Sequence, residues 1–158
     1  MEDKKRVIMV TGGSGLVGRN LEQLVNHENL PNEKFIFLTS NDANLQNPED
    51  VRQLFKKIKP DVVIHLAANV GGLFKNMRQN LSILKSNMYI NENVLACAFE
   101  YNVNKVISCL STCIFPDKIS YPIDETMIHN GPPNDSNYGY SYSKRYIEIL
   151  HRHGLYIF

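Results

Sequence analysis

The sequence predicts an α/β fold, a doubly wound and mostly parallel sheet, and three observations carry that expectation. Short apolar runs alternate with longer helical patterns, the runs are apolar on both faces, and a glycine-rich turn follows the first of them. Residues 6–11, 34–39, 61–67 and 105–110 read as strands rich in Val, Ile and Phe. Strands of that kind need helices on both sides, and right-handed crossovers make a doubly wound sheet the economical topology. Helix patterns occupy 16–28, 48–58, 80–101 and 138–153. The second has Asn47 as a candidate N-cap, Pro48 at its first position and Glu49 and Asp50 in its first turn, all favourable at the positive end of a helix dipole. Residues 115–137 hold four of the seven prolines and read as a loop over the carboxyl edge of the sheet.

A chain of 158 residues is expected to be one domain, here 1–158, with a core that buries roughly 70% of the surface the unfolded chain exposes. Its 17 basic and 16 acidic side chains are spread along the sequence, which argues against a nucleic-acid or anionic-membrane partner. No apolar stretch is long enough for a signal-peptide core or a bilayer span. Cys97, Cys109 and Cys113 have neither metal-ligand spacing nor an even count, so no metal site is expected and reduced thiols in a cytosol are the plain reading.

Directly after the first strand comes Thr11-Gly12-Gly13-Ser14-Gly15-Leu16-Val17-Gly18. Glycines permit a tight turn and let backbone amides approach a pyrophosphate at the amino end of the next helix, so residues from Gly12 to Gly18 are candidate cofactor ligands. An ordinary glycine-rich turn is the bland alternative, and the strand before and helix after favour binding. The second strand ends in Leu38-Thr39-Ser40-Asn41-Asp42. Asp42 lies just beyond the place of a ribose-binding acid, whereas Ser40 and Asn41 suit a 2′-phosphate, so these residues leave NAD and NADP both open. Leu66, Ala67 and Ala68, small residues ahead of Asn69-Val70-Gly71-Gly72, form either a wall for a flat cofactor ring or simply tight packing.

Tyr140 and Lys144 form Y-x-x-x-K, and their i, i+4 spacing sets them on one helical face. A neighbouring ammonium favours the phenolate, so Tyr140 is a candidate general acid at a carbonyl oxygen. A helix-surface pair is the bland alternative, which the dinucleotide loop upstream disfavours. Cys109-Leu110-Ser111-Thr112-Cys113 closes the fourth strand at the edge where open α/β sheets bind ligands. Ser111 either hydrogen-bonds a reacting carbonyl or caps the turn, Cys109 is read as packing, and Cys113 is placed to exchange protons at carbon beside a ketone. Asn87, inside the long helix pattern, is either a buried amide or part of a solvated face.

Thr11 to Gly18, Leu66 to Gly72, Ser111-Thr112-Cys113-Ile114-Phe115-Pro116 and Tyr140 to Lys144 together resemble the extended short-chain dehydrogenase/reductases. The run from His65 to Leu73, the loop from Pro122 to Glu125 and Gly131-Pro132-Pro133, and Ser-Thr-Cys in place of Thr-Asp-Glu after the fourth strand, look most like the GDP-L-fucose synthases among them. The resemblance implies a Rossmann fold that binds NADPH and a GDP-sugar substrate, GDP-4-keto-6-deoxy-D-mannose, epimerised at C3 and C5 and reduced at C4. It implies a triad of Ser111, Tyr140 and Lys144, with Lys144 also on the nicotinamide ribose, an epimerising role for Cys113 and a supporting one for Asn87. A cytoplasmic homodimer formed through helices 80–101 and 138–153 follows from the same source. Family members run considerably longer, so the chain is expected to lack the C-terminal substrate domain, with 150–158 a divergent end. The alternative expectation is a truncated, catalytically inactive cofactor-binding or dimerising fragment.

Overall fold

The computed structural model describes residues 5–152. They divide into two compact units, one built from residues up to 68 with 89–109, the other from 69–88 with the residues after 109.

The first unit holds a four-stranded parallel sheet of β1 (Arg6–Thr11), β2 (Glu33–Phe37), β3 (Val62–His65) and β4 (Lys105–Ser108), in the order β2-β1-β3-β4. Met9 stands opposite Ile36 on one side and Val63 on the other, and Val63 stands opposite Val106. Helix α1 (Leu16–Glu28) links β1 to β2, and α2 (Pro48–Ile58) links β2 to β3. These two crossovers run in opposite directions, so right-handed connections put α1 and α2 on opposite faces and create a switch point between the carboxyl ends of β1 and β3. The fold is the Rossmann-type sheet that the alternation of runs predicts.

Burial follows the apolar pattern. Ile8, Met9, Val10, Val63 and Val106 of the sheet are buried, with Val51 and Phe55 of α2 and Val94, Leu95 and Ala98 from a long helix, α4 (Asn80–Glu100). Helix α2 starts as its sequence dictates, since the Asn47 side chain accepts the Glu49 amide at 2.9 Å. Its last turn is closed by Lys59 at φ 51°, whose amide donates to the Phe55 carbonyl at 2.8 Å. Helix α1 is different: Gly18 is its buried residue, while Leu16, Val17 and Leu24 are exposed. Strands β2, β3 and β4 end sooner than their apolar runs. The reason is that ladder contact persists singly past each end: Leu38 donates to the Val10 carbonyl, Leu66 to that of Thr11 and Cys109 to that of His65 as the chain turns away.

The second unit contains α3 (Leu73–Arg78), the first turns of α4, three short 3₁₀ turns at Thr112–Ile114, Glu125–Met127 and Asp135–Asn137, and α5 (Tyr138–Leu150). Each short turn is capped from its own start, as Ser111, Asp124 and Asn134 accept the amide two residues on. The proline-rich loop is therefore irregular yet pinned. Helix α3 has no counterpart in the sequence reading, because its pattern is inverted. Leu73, Phe74 and Met77 are exposed, whereas Asn76 is buried and donates to Asn137 Oδ1 at 2.8 Å. Helix α5 enters tightly against α4: the Gly139 amide donates to Asn80 Oδ1 at 2.8 Å, and a Cβ at Gly139 would sit 2.1 Å from the Asn80 carbonyl oxygen. It ends at Leu150, with a wider turn at His151 and Arg152. The rest of the expected helix 138–153 and most of the divergent end lie outside the described residues. Among the described residues no helix is long and apolar enough to cross a membrane.

Candidate active site

In the first unit the glycine loop is shaped by contacts that exclude side chains. Gly12 takes φ 71°, and a Cβ there would lie 2.8 Å from the Ala67 amide nitrogen. At Gly18 a Cβ would meet the Gly13 carbonyl oxygen at 2.5 Å. The Gly13 amide donates to the Leu38 carbonyl at 2.7 Å and the Gly15 amide to the Gly12 carbonyl at 3.0 Å, so the loop is stitched to the end of β2 and to itself. Gly15 is the N-cap of α1 and has no side chain to offer. Ser14, Leu16 and Val17 are exposed at this helix start, where the first amides lack intrahelical acceptors, an arrangement that suits an anion.

Beneath this loop lies a buried polar relay that the sequence reading did not single out. His65, 1% exposed at the end of β3, meets Thr11 Oγ1 at 2.7 Å through Nδ1 and Asn91 Oδ1 at 3.2 Å through Nε2. The Asn91 oxygen accepts, which pairs with a proton on Nε2, and a neutral ring so protonated accepts a hydrogen bond from the Thr11 hydroxyl at Nδ1. Thr11 Oγ1 in turn accepts the Ala67 amide at 3.2 Å. One network thus joins β1, β3 and α4 and fixes the backbone of Leu66 and Ala67, the residues that crowd Gly12. Leu66, Ala67 and Ala68 are half-buried, as both a wall and a packing element would be. The available signal was a polar residue closing an apolar run, together with Asn87 and Asn91 one helical turn apart.

At the end of β2 the Asp42 carboxylate turns back on its own loop, accepting the Thr39 amide at 2.7 Å and the Thr39 hydroxyl at 2.9 Å. Those hydrogen bonds, the amide first, hold its carboxyl below the usual range. Asp42 is committed to closing the turn, and the exposed Asn41, whose amide donates to Thr39 Oγ1 at 3.2 Å, sits on its outer side.

The second unit gathers the other candidates. Lys144 is 3% exposed, and its Nζ lies 5.8 Å from the centre of the Tyr140 ring, so α5 brings the phenol and the amine together as their spacing predicts. Ser111 is half-buried and accepts the Cys113 amide at 3.4 Å, which makes it a turn cap with a hydroxyl beside the thiol-bearing residue. Cys113 is half-buried. Cys109 departs from its reading as packing: β4 ends at Ser108, and the thiol beyond it is exposed. Asn87 resolves to the buried amide. Its Oδ1 accepts the Asn69 amide at 2.7 Å and its Nδ2 donates to the Asn69 carbonyl at 2.8 Å, a two-point clasp on the loop after Ala68.

The sequence profile of the NAD dependent epimerase/dehydratase family matches residues 8–153. The chain belongs to that family. A GDP-L-fucose synthase of Dictyostelium discoideum is 57% identical over 148 residues, 94% of this chain and 46% of that protein. A probable GDP-L-fucose synthase of Drosophila melanogaster is 57% identical over 142 residues, 90% of this chain and 44% of that protein. The chain spans about half the length of the curated relatives it matches. A solved GDP-L-fucose synthetase of Naegleria fowleri, bound to NADP, superposes with a TM-score of 0.86 at 44% identity, covering 94% of this chain and 44% of that one.

Proposed function

We propose that the chain carries the NADPH-binding and catalytic machinery of an enzyme that converts GDP-4-keto-6-deoxy-D-mannose to GDP-L-fucose by epimerisation at C3 and C5 and reduction at C4. The observation that carries this reading is the buried Lys144 amine against the Tyr140 ring. A cation so placed favours the phenolate, and so eases transfer of the phenolic proton to a sugar oxygen. The similarity to GDP-L-fucose synthases, including one solved with NADP, supports the choice of substrate and cofactor.

Bound NADPH supplies the hydride equivalent for C4. Tyr140 delivers the balancing proton to the C4 oxygen, Lys144 holds Tyr140 ready for it, and Ser111 donates a hydrogen bond to the same oxygen. Before reduction Cys113 exchanges the protons at C3 and C5, which the adjacent carbonyl acidifies. Gly12, Gly13, Ser14, Gly15, Leu16, Val17 and Gly18 cradle the pyrophosphate, Leu66, Ala67 and Ala68 line the cofactor, and Asn41 takes the 2′-phosphate. The turned-in Asp42 favours this last assignment, since an acid tied to Thr39 is less able to bind a free ribose hydroxyl.

The reading extends to a homodimer formed through α4 and α5, supported by exposed Leu81, Met88, Tyr89 and Phe99 on α4 and Ile149 on α5. It extends also to a reducing, cytoplasmic setting, with which three free thiols accord. The test is oxidation of NADPH by the purified chain with the keto-deoxymannose nucleotide, beside NADPH binding followed by nicotinamide fluorescence. Gly15→Asp should abolish binding, and Tyr140→Phe should leave binding while removing reduction. Failure to bind NADPH would sink the whole proposal, and binding without turnover would sink the activity for this chain.

A further inference from the structure

Arg145 follows Lys144 on α5 and is 5% exposed. Burial lowers its affinity for the proton, and its polar contacts among the described residues are main-chain carbonyls. Nε donates to the Ile114 carbonyl at 2.7 Å and a terminal nitrogen donates to the Gly131 carbonyl at 2.8 Å, while the guanidinium carbon lies 5.3 Å from the Tyr142 ring centre. A buried guanidinium held by carbonyl dipoles is an expensive way to fill space, so its value lies in geometry. Both contacts are informative. Ile114 ends the 3₁₀ turn that starts from Ser111 and contains Cys113, and that turn is internally tied by the Ile114 amide to the Ser111 carbonyl at 3.1 Å. Gly131 belongs to the returning arm of the loop, which packs on Pro116 and is tied to the outgoing arm by the Asp117 amide on the Pro132 carbonyl at 3.0 Å.

We propose that Arg145 is a positioning residue: its planar fork clamps the Ser111–Cys113 turn and the returning loop onto the helix that bears Tyr140 and Lys144. The thiol and phenol then keep one relative geometry while protons move. The inference rests on the catalytic reading of Cys113, and it implies that a lysine, which would carry the same charge, does not substitute for the arginine. Lysine offers a point charge that cannot span two carbonyls in a fixed fork.

The chain's cysteines provide the test. Cys97 is buried in the first unit and reports the opening of that unit, exposed Cys109 is a reference, and Cys113 reports the clamped turn. Native-state alkylation by iodoacetamide, resolved by peptide mass spectrometry, should show the Cys113 to Cys109 rate ratio changing by about fivefold or more in both Arg145→Lys and Arg145→Met, with Cys97 still protected. In Arg145→Ala, added methylguanidinium should restore the ratio, which a role in bulk packing would not produce. A ratio within about twofold of the parent in the Lys and Met variants would overturn the clamp, as would Cys97 opening in step with Cys113 in every variant. Loss of NADPH binding by the parent chain would instead strike the functional reading and leave the ratio untouched.

Discussion

The interior of each unit of this chain is built from different chemistry. In the sheet unit the buried set is overwhelmingly apolar, from Ile8, Met9 and Val10 through Phe55, Val63 and Leu95, with the Thr11, His65 and Asn91 relay as its polar exception. In the second unit Asn76, Ser86, Asn87, Ser141, Ser143, Lys144 and Arg145 are buried alongside Ile83, Ile114, Ile128 and Ile147. An apolar core tolerates approximate packing and gains stability in proportion to area, whereas a polar interior depends on specific partners: Asn87 and Arg145 have theirs, while Asn76 Oδ1 and Ser141 Oγ are buried without one among the described residues. The first unit is therefore a scaffold, and the second is built for placement.

The largest expected effect is in the scaffold. Phe55 is 0% exposed, and its ring centre lies 5.9 Å from that of Tyr101. Phe55→Ala should cost about 4 kcal/mol, as lost transfer energy and a residual cavity add, read from the urea midpoint at constant slope. A loss under about 1 kcal/mol would mean that buried apolar area is not what stabilises the first unit.

Next comes a steric test of the second unit. Gly139→Ala places a methyl group 2.1 Å from the Asn80 carbonyl oxygen, so α5 must shift or lose its tie to α4. About 3 kcal/mol of destabilisation is expected, at the upper end for an overpacked site. Hydrogen exchange should quicken first at the start of α5. Unchanged exchange there would show that the second unit absorbs displacement as a looser core does, and would blur the contrast between the units.

The third effect probes the polar exception in the first unit. Thr11→Val keeps the shape and removes the hydroxyl, leaving His65 Nδ1 and the Ala67 amide without their partner. About 2 kcal/mol should be lost, and Thr11→Ser should recover about half by restoring the hydrogen bonds while still lacking a methyl group. No loss in Thr11→Val beside a clear loss in Thr11→Ser would assign the site to methyl packing alone. Imidazole nitrogen shifts in the parent should report the proton on Nε2, as pairing with the Asn91 oxygen implies.

What was legible in the sequence tracks this same contrast. Helices α1 and α2 begin and end where their patterns predict, because the cap at Asn47, Pro48 and the apolar periodicity act locally. The glycine turn was legible because Gly12 and Gly18 are demanded by backbone crowding. The Tyr140–Lys144 pairing follows from helical spacing alone. Helix α3 was not legible, since Asn76 points inward to a partner 61 residues away while Phe74 faces out, which reverses the rule that apolar residues mark the buried side. Arg145 was passed over for a related reason: an arginine on a helix reads as a solvated surface group until the carbonyls of Ile114 and Gly131 are seen to take it out of water. Partners brought together by tertiary structure leave no periodic trace.

The smallest effect appears only outside the neutral range and sharpens the account of the apolar core. Cys97 is 4% exposed, and burial, followed by the negative charge of Glu100, pushes its thiol up to about 11. Below the ordinary thiol value both folded and unfolded chains keep the proton, and the group contributes no slope. As pH rises from that value towards 11, the unfolded chain loses the proton before the folded one does, so stability falls across this window. Cys97→Ala removes the titrating group, and the stability difference between parent and variant should be flat near neutrality and should drift against the parent in alkali. A difference that stays constant to pH 11 would mean that Cys97 is open to water in the folded chain, and the boundary of the apolar core would have to be drawn inside α4.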